Sequence, residues 1–178
     1  MKFNASMVQT RCLTPLGHMT LVASASGLAG AWFDKQRHLP AVLVAEHADP
    51  NALWPEQATN PTLQEAVKQL TAYFAGQQNH FELPLDMTAG TPFQQSVWRA
   101  LLAIPSGSTT SYSALSASIG RPSAVRAVGG AIGRNPISIF VPCHRVVGRS
   151  GSLTGYAGGL DRKSALLQLE NTLLAPRS

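Results

Sequence analysis

"SYSALSASIGRPSAVRAVGGAIGRN", residues 111–135, is the stretch whose reading decides the fold of this chain. Leu115 and Ile119 recur at helical spacing, and Gly120 to Pro122 interrupt the pattern. Ser123 stands where a side chain can cap a second helix, which carries Val125, Val128 and Ile132 inward. Two short helices joined by a tight turn predict a helix-turn-helix, although ordinary helical hairpins share the pattern. With those three residues inward, a rotation of about 100° per residue turns Ser123, Arg126, Ala127, Gly130 and Arg134 outward. That face is small and cationic. Gly129 and Gly130 each cost about 1 kcal/mol relative to Ala inside a helix. Either a backbone from another molecule approaches there, or two helices of this protein touch.

Downstream lies "NPISIFVPCHRVVGRSG", residues 135–151, in which "ISIFV" reads as a buried strand and Pro142 and Gly148 bracket an irregular segment. Cys143 and His144 stand side by side within it. A free thiol with a pKa of about 8.5 is mostly protonated at neutral pH and needs help to react. Adjacent side chains on a regular strand face opposite ways, so the pair cooperates only if the backbone turns or a water bridges it. Taken alone, a Cys-His pair is more often a small core residue beside a satisfied polar one. In the last predicted helix, Glu170 falls within a stripe formed by Leu166, Leu167, Leu173 and Leu174. A carboxylate on an apolar face needs a partner. His144 is the preferred one, giving a chain of carboxylate, imidazole and thiol that favours thiolate. Arg145 is the alternative, which would leave Glu170 structural.

Upstream, Thr91 can cap a helix that begins at Pro92, with Phe93, Val97, Leu101 and Ile104 on its apolar face and Pro105 and Gly107 at its end. "LPLDMTAGTP", residues 83–92, reads as a crossover between two halves. Residues 1 to 34 alternate apolar and polar positions around Gly17 and Gly27, the pattern of a small antiparallel meander. Leu63, Val67, Leu70 and Phe74 then predict one helix up to Gly76.

The 178 residues suffice for one generous domain or two small ones, and 44% hydrophobic content fills a core without staples. Only 13% of residues are charged, yet the net charge is +5, compatible with a polyanionic partner. Cys12 and Cys143 are far apart and form no metal-binding or disulfide spacing, which fits a reducing compartment. No stretch approaches the roughly 18 apolar residues of a membrane span, and the start lacks a signal-peptide pattern, so a cytoplasmic location is expected.

The residues from Thr91 to Glu170, with "PCHRV" followed by "TGYAGGLDRKSALLQLE" and preceded by Arg-Ala-Val-Gly-Gly, closely resemble the O6-alkylguanine-DNA alkyltransferases, also called methylated-DNA-protein-cysteine methyltransferases. Before Thr91 the similarity is limited to pieces such as "TPLGHMTL" and "LTAYFAG". The resemblance implies an α/β (α+β) fold with a ribonuclease-H-like sheet-and-helix domain over residues 1–85. A mainly helical DNA-binding, alkyl-accepting domain with the helix-turn-helix follows over 91–178. It implies irreversible, single-turnover transfer of a methyl or alkyl group from O6-alkylguanine in double-stranded DNA to Cys143, with O4-alkylthymine as a second conceivable lesion.

By the same resemblance His144 draws off the thiol proton through a water, Glu170 orients the imidazole, and Asn135 braces the link between recognition helix and reactive loop. Ser123, Arg126, Ala127, Gly130 and Arg134 face the DNA. The helix enters a minor groove only about 6 Å wide, the nucleotide is flipped out at a cost of a few kcal/mol, and Arg126 fills the vacated space. Tyr112 helps to rotate the nucleotide and donates a proton toward the purine. Tyr156, Val146, Ala157 and Arg145 line the guanine pocket. No cofactor and no metal are expected, because the zinc-binding Cys and His positions of some members are occupied by other residues. The protein is expected to be a monomer in solution, with cooperation along DNA left open. A non-catalytic DNA-binding regulator and a cysteine hydrolase are the competing readings of the same residues.

Overall fold

The structure, a computed structural model, describes residues 1, 3, 6–44 and 54–171. Three strands, β1 (Val8–Thr14), β2 (Gly17–Ser24) and β3 (Gly27–Phe33), form an antiparallel sheet in the order β1-β2-β3. Gly17 and Gly27 adopt φ of +107° and +143° at the two reversals, as the sequence pattern requires. β3 is buried along its whole length. Its outer edge is not left bare: Leu28 exchanges backbone bonds with Pro84 and Asp86, and Ala31 does the same with Pro136 and Ser138. The N-terminal sheet therefore carries the segment that leads into the reactive turn.

The helix α1 (Pro61–Phe74) begins at Asn60, whose side chain accepts hydrogen bonds from the amides of Thr62 and Leu63. Its buried stripe is Leu63, Ala66, Leu70 and Tyr73, one step round from the predicted Val67 and Phe74, which are only partly covered. The helix α2 (Pro92–Leu102) starts in a reciprocal capping box between Thr91 and Gln94. Val97, Trp98 and Leu101 are its buried residues.

A two-residue strand, β4 (Thr110–Ser111), leads into α3 (Tyr112–Ser118) and then α4 (Val125–Gly133), the predicted helix pair. Gly120, at φ +70°, ends α3; its amide bonds the carbonyl of Ala117, and the Arg121 amide bonds that of Ser116. The expected cap is not the one used. Ala124 is the N-cap of α4 with no side-chain hydrogen bond, and Ser123 is exposed one residue earlier. Inside, Val128, Ala131 and Ile132 are buried, and Trp98 Nε1 donates to the Ala131 carbonyl at 2.9 Å, locking α4 to α2.

The predicted strand at "ISIFV" is buried but is not a strand. Ile137 and Ser138 make single bridges to Ala31 and Val141, and Ile139 turns the chain at φ +74°. A β-branched residue in that region is strained, and the contacts of β3 hold it there. A 3-10 turn at Cys143–Arg145, the short strand β5 (Val146–Val147) parallel to β4, and α5 (Leu160–Leu169) complete the described chain. One apolar core runs through both halves, from Leu21 and Leu63 to Val128, Ile137 and Leu166. Leu173 and Leu174 of the predicted stripe lie outside the described residues.

Candidate active site

Pro142, at φ −80° and ψ 61°, makes an inverse γ-turn: the Cys143 amide donates to the Val141 carbonyl at 2.8 Å. The 3-10 turn that follows rotates Cys143 and His144 out of strand alternation, the condition the sequence set for their cooperation. All three residues of the turn are buried.

Asn135 connects this turn to the end of α4. Its Nδ2 donates to the Val141 carbonyl at 2.9 Å and to Cys143 Sγ at 3.1 Å, and its Oδ1 accepts from the Ile137 amide at 3.0 Å. Burial pushes the Cys143 thiol up, against the hydrogen bond from Asn135 and the charge of Lys163, which favour the anion. Burial thus works against a thiolate at rest, which agrees with a reaction that begins by proton removal.

His144 Nε2 lies 3.0 Å from Glu170 Oε1. The carboxylate fixes the tautomer with the proton on Nε2 and leaves Nδ1, which has no partner among the described residues, as a proton acceptor. Burial, opposed by Glu170, lowers the imidazole pKa, which keeps the ring neutral. Glu170 takes both partners that the sequence allowed. Arg145 Nε donates to Oε2 at 2.9 Å and Arg145 Nη2 to Oε1 at 2.8 Å, and Tyr73 Oη from α1 donates to Oε1 at 2.7 Å. Burial would raise this carboxyl, but the hydrogen bonds from His144 and Arg145 hold it down at about 2. The Arg145 guanidinium is thereby turned to Glu170 and the Ile104 carbonyl rather than to Tyr156 and its neighbours. Its hydrogen bonds are thus those of a buried ion pair.

Tyr112, Gly129, Ile132, Gly133, Tyr156 and Ala157 line a depression of about 120 Å³, together with Arg37 and His38. Tyr112 Oη donates to the carbonyls of Thr154 and Gly155, each at 3.3 Å. Burial raises both phenols and keeps them protonated. Cys143 itself is 5% exposed. Val146 is fully buried and offers its carbonyl to Lys163 Nζ.

On the surface of α4, Ser123, Arg126, Ala127 and Arg134 are exposed and Gly130 is half-buried. A Cβ on Gly129 would meet only the Tyr112 ring at 3.6 Å, one on Gly130 only the Arg134 side chain at 3.6 Å, and one on Gly133 nothing. No helix crossing demands these glycines, so the intramolecular explanation for them falls away.

Two residues of the site escaped sequence reasoning. Lys163 is completely buried, donates to the carbonyls of Val146 and Thr154 at 2.5 and 2.6 Å, and is pushed by burial down to about 8. It sits at i−3, i−4 and i−7 from Leu166, Leu167 and Glu170, so the stripe that exposed Glu170 also contained it. Tyr73 occupies the buried stripe of α1, where a phenol needs a partner for its hydroxyl.

Fold and site together define an α+β protein in which a bare, cationic helix is joined through Asn135 to a buried thiol whose chain neighbour is an imidazole paired with a carboxylate. The chain belongs to the 6-O-methylguanine DNA methyltransferase family: residues 7–87 match its ribonuclease-like domain and residues 92–172 its DNA binding domain. It is 47% identical over 161 residues to a methylated-DNA–protein-cysteine methyltransferase of Mycobacterium tuberculosis, covering 89% of each chain. The Salmonella typhimurium protein of the same name is 43% identical over 169 residues, covering 94% of this chain and 98% of that one. A crystal structure of Mycobacterium tuberculosis OGT in complex with DNA superposes with a TM-score of 0.78 at 44% identity, covering 93% of this chain and 92% of that one.

Proposed function

We propose that Cys143 is the acceptor in direct-reversal repair of DNA and that each chain acts once. The protein is a DNA-repair methyltransferase that takes the alkyl group of O6-alkylguanine in double-stranded DNA onto a cysteine. The observation that carries the assignment is the placement of the Cys143 sulfur, bonded to Asn135 at the end of the exposed helix and next in chain to the His144–Glu170 pair.

In this reading residues 91–178 bind DNA and residues 1–85 hold the reactive segment in place. Ser123, Arg126, Ala127, Gly130 and Arg134 lie against the groove, where the glycines admit a sugar-phosphate backbone. Arg126 occupies the space left by the flipped nucleotide. Tyr156, Ala157 and the Val146 backbone receive the base.

The chemistry balances as a displacement. The Cys143 S–H proton passes through a water to His144 Nδ1, and Glu170 stabilises the imidazolium. The thiolate attacks the alkyl carbon, the S–C bond forms as the C–O6 bond breaks, and the electron pair goes to the purine. Tyr112, which its environment keeps protonated, donates toward the ring to neutralise it. Thioether formation leaves no leaving group for turnover. Arg145 and Tyr73 act as positioning residues through Glu170. We also place the protein in the cytoplasm, because its cysteines form no disulfide and no helix among the described residues is long and apolar enough to cross a membrane.

Incubation with duplex DNA containing O6-methylguanine, followed by intact-mass measurement, tests the proposal. One methyl group gained per chain, on Cys143, is expected; no gain, or many products per chain, defeats it.

A further inference from the structure

The turn at residues 34–38 follows β3 and is fastened to the reactive half. Gln36 is buried, and its Oε1 accepts from the Phe33 amide and from Ser138 Oγ, both at 3.2 Å. The Arg37 amide donates to the Ala157 carbonyl at 3.0 Å. Lys35 and His38 have φ of +60° and +62°, a left-handed conformation that costs a non-glycine residue about 1–3 kcal/mol. Two such residues in one short turn, fastened from both sides, present Lys35, Arg37 and His38 outward, all exposed.

Their position matters more than their charge. Arg37 and His38 line the 120 Å³ depression together with Tyr112, Gly129, Gly133 and Tyr156. Lys35 and Arg37 border a second depression of about 420 Å³ that runs along Gly155 to Leu160. The one carboxylate within the turn, Asp34, is engaged by Arg11 at 2.7 Å. One guanidinium and one imidazole from the N-terminal half thus line the depression that Gly129 and Gly133 of α4 also line, and Lys35 joins Arg37 along the second.

We propose that this turn is a second DNA-backbone clamp, in which Lys35 and Arg37, with His38 beside them, bind the phosphates flanking the everted nucleotide. The inference rests on the repair reading in taking the base to enter beside Tyr156. A guanidinium pairs with phosphate oxygens through parallel hydrogen bonds, and a fixed turn spares the entropy of ordering a loop. The DNA footprint then spans both halves of the chain rather than the helix-turn-helix alone.

The test is the salt dependence of affinity for an unmodified duplex, measured by fluorescence anisotropy between about 50 and 200 mM salt. Each phosphate contact contributes about 0.9 to the slope of log K against log salt. The Lys35→Ala, Arg37→Ala double variant is expected to flatten the slope by about 1 to 2 and to weaken binding throughout. Arg37→Gln is expected to flatten it by about half as much. Lys68→Ala, on the exposed face of α1, serves as the charge-matched control with the wild-type slope. Both substitutions at Arg37 leave its backbone bond to Ala157 in place. Slopes and affinities of either Arg37 variant equal to wild type overturn the clamp. Because binding is read without transfer, a wild-type protein that binds duplex but gains no methyl would sink the repair reading and leave the slopes to decide this one.

Discussion

The outward face of α4 and the turn at Cys143–Arg145 are separated by a short connector and are built in opposite ways. The helix face is bare: Arg126, Ala127 and Arg134 are exposed, and its glycines meet little of the protein's own structure. The turn is buried: Asn135 bonds the Cys143 sulfur, Glu170 bonds His144 and Arg145, the Ile104 carbonyl accepts from Arg145, and Tyr73 of α1 donates to Glu170 behind them. The first region keeps its energy for a partner. The second spends its contacts within the molecule, because a buried thiol and imidazole need fixed neighbours to exchange a proton. Asn135, just beyond the end of α4, hydrogen-bonds the Cys143 sulfur and so stands between them.

The sharpest way to separate the two regions is Cys143→Ser. Transfer to the protein should disappear in the mass spectrum, while duplex affinity stays within about twofold, since the sulfur is not on the binding face. Loss of both together would mean that the regions are not independent.

Glu170→Ala attacks the enclosed region alone. It leaves the Arg145 charge buried without its partner, and a broken buried pair costs about 3–5 kcal/mol, read from the denaturant midpoint. Acid should reveal the same group. Its carboxyl is held at about 2 in the fold against an ordinary 4.5. A depressed pKa contributes stability that is complete above the ordinary value and is lost as pH falls toward the folded one. Wild type should therefore lose stability more steeply than Glu170→Gln between those two values.

Arg126→Ala attacks the bare region. If the side chain substitutes for a flipped base, transfer from duplex DNA should fall about 10- to 100-fold, corresponding to about 1–3 kcal/mol of lost stacking and contact, while reaction with a free O6-alkylguanine base falls far less. Equal losses on both substrates would remove its assigned role.

The smallest expected effect is that of Tyr73→Phe, which removes one hydrogen bond to Glu170 from the N-terminal half and should cost about 1 kcal/mol. It should also raise the Glu170 pKa and shift the acid limb of the stability curve to higher pH. An unchanged acid limb would show that α1 merely packs against the site.

Much of this organisation was readable in local patterns because the determining interactions are local. Gly17 and Gly27 mark the hairpins, Thr91 and Gln94 the start of α2, and Gly120 the end of α3. Glu170 was found because a carboxylate among leucines has to be paired, and Lys163 was reachable by the same reasoning. Where long-range contacts intervene, local reading fails. "ISIFV" has the composition of a strand, but the edge of β3 accepts only Ile137 and Ser138 before Ile139 turns away. Ser123 has the chemistry of a cap, but the helix begins one residue later, after Ala124.

The sequence by itself determined the order of elements, the bare cationic helix and the family whose signature surrounds Cys143, since periodicity, turn residues and adjacent motifs are written along the chain. Only the tertiary structure decided that Glu170 serves His144 and Arg145 at once, that Tyr73 reaches across from the other half, and that Arg37 and His38 line the depression beside Tyr156. Those facts depend on which distant groups meet when water is excluded, and spacing along a chain does not specify such meetings.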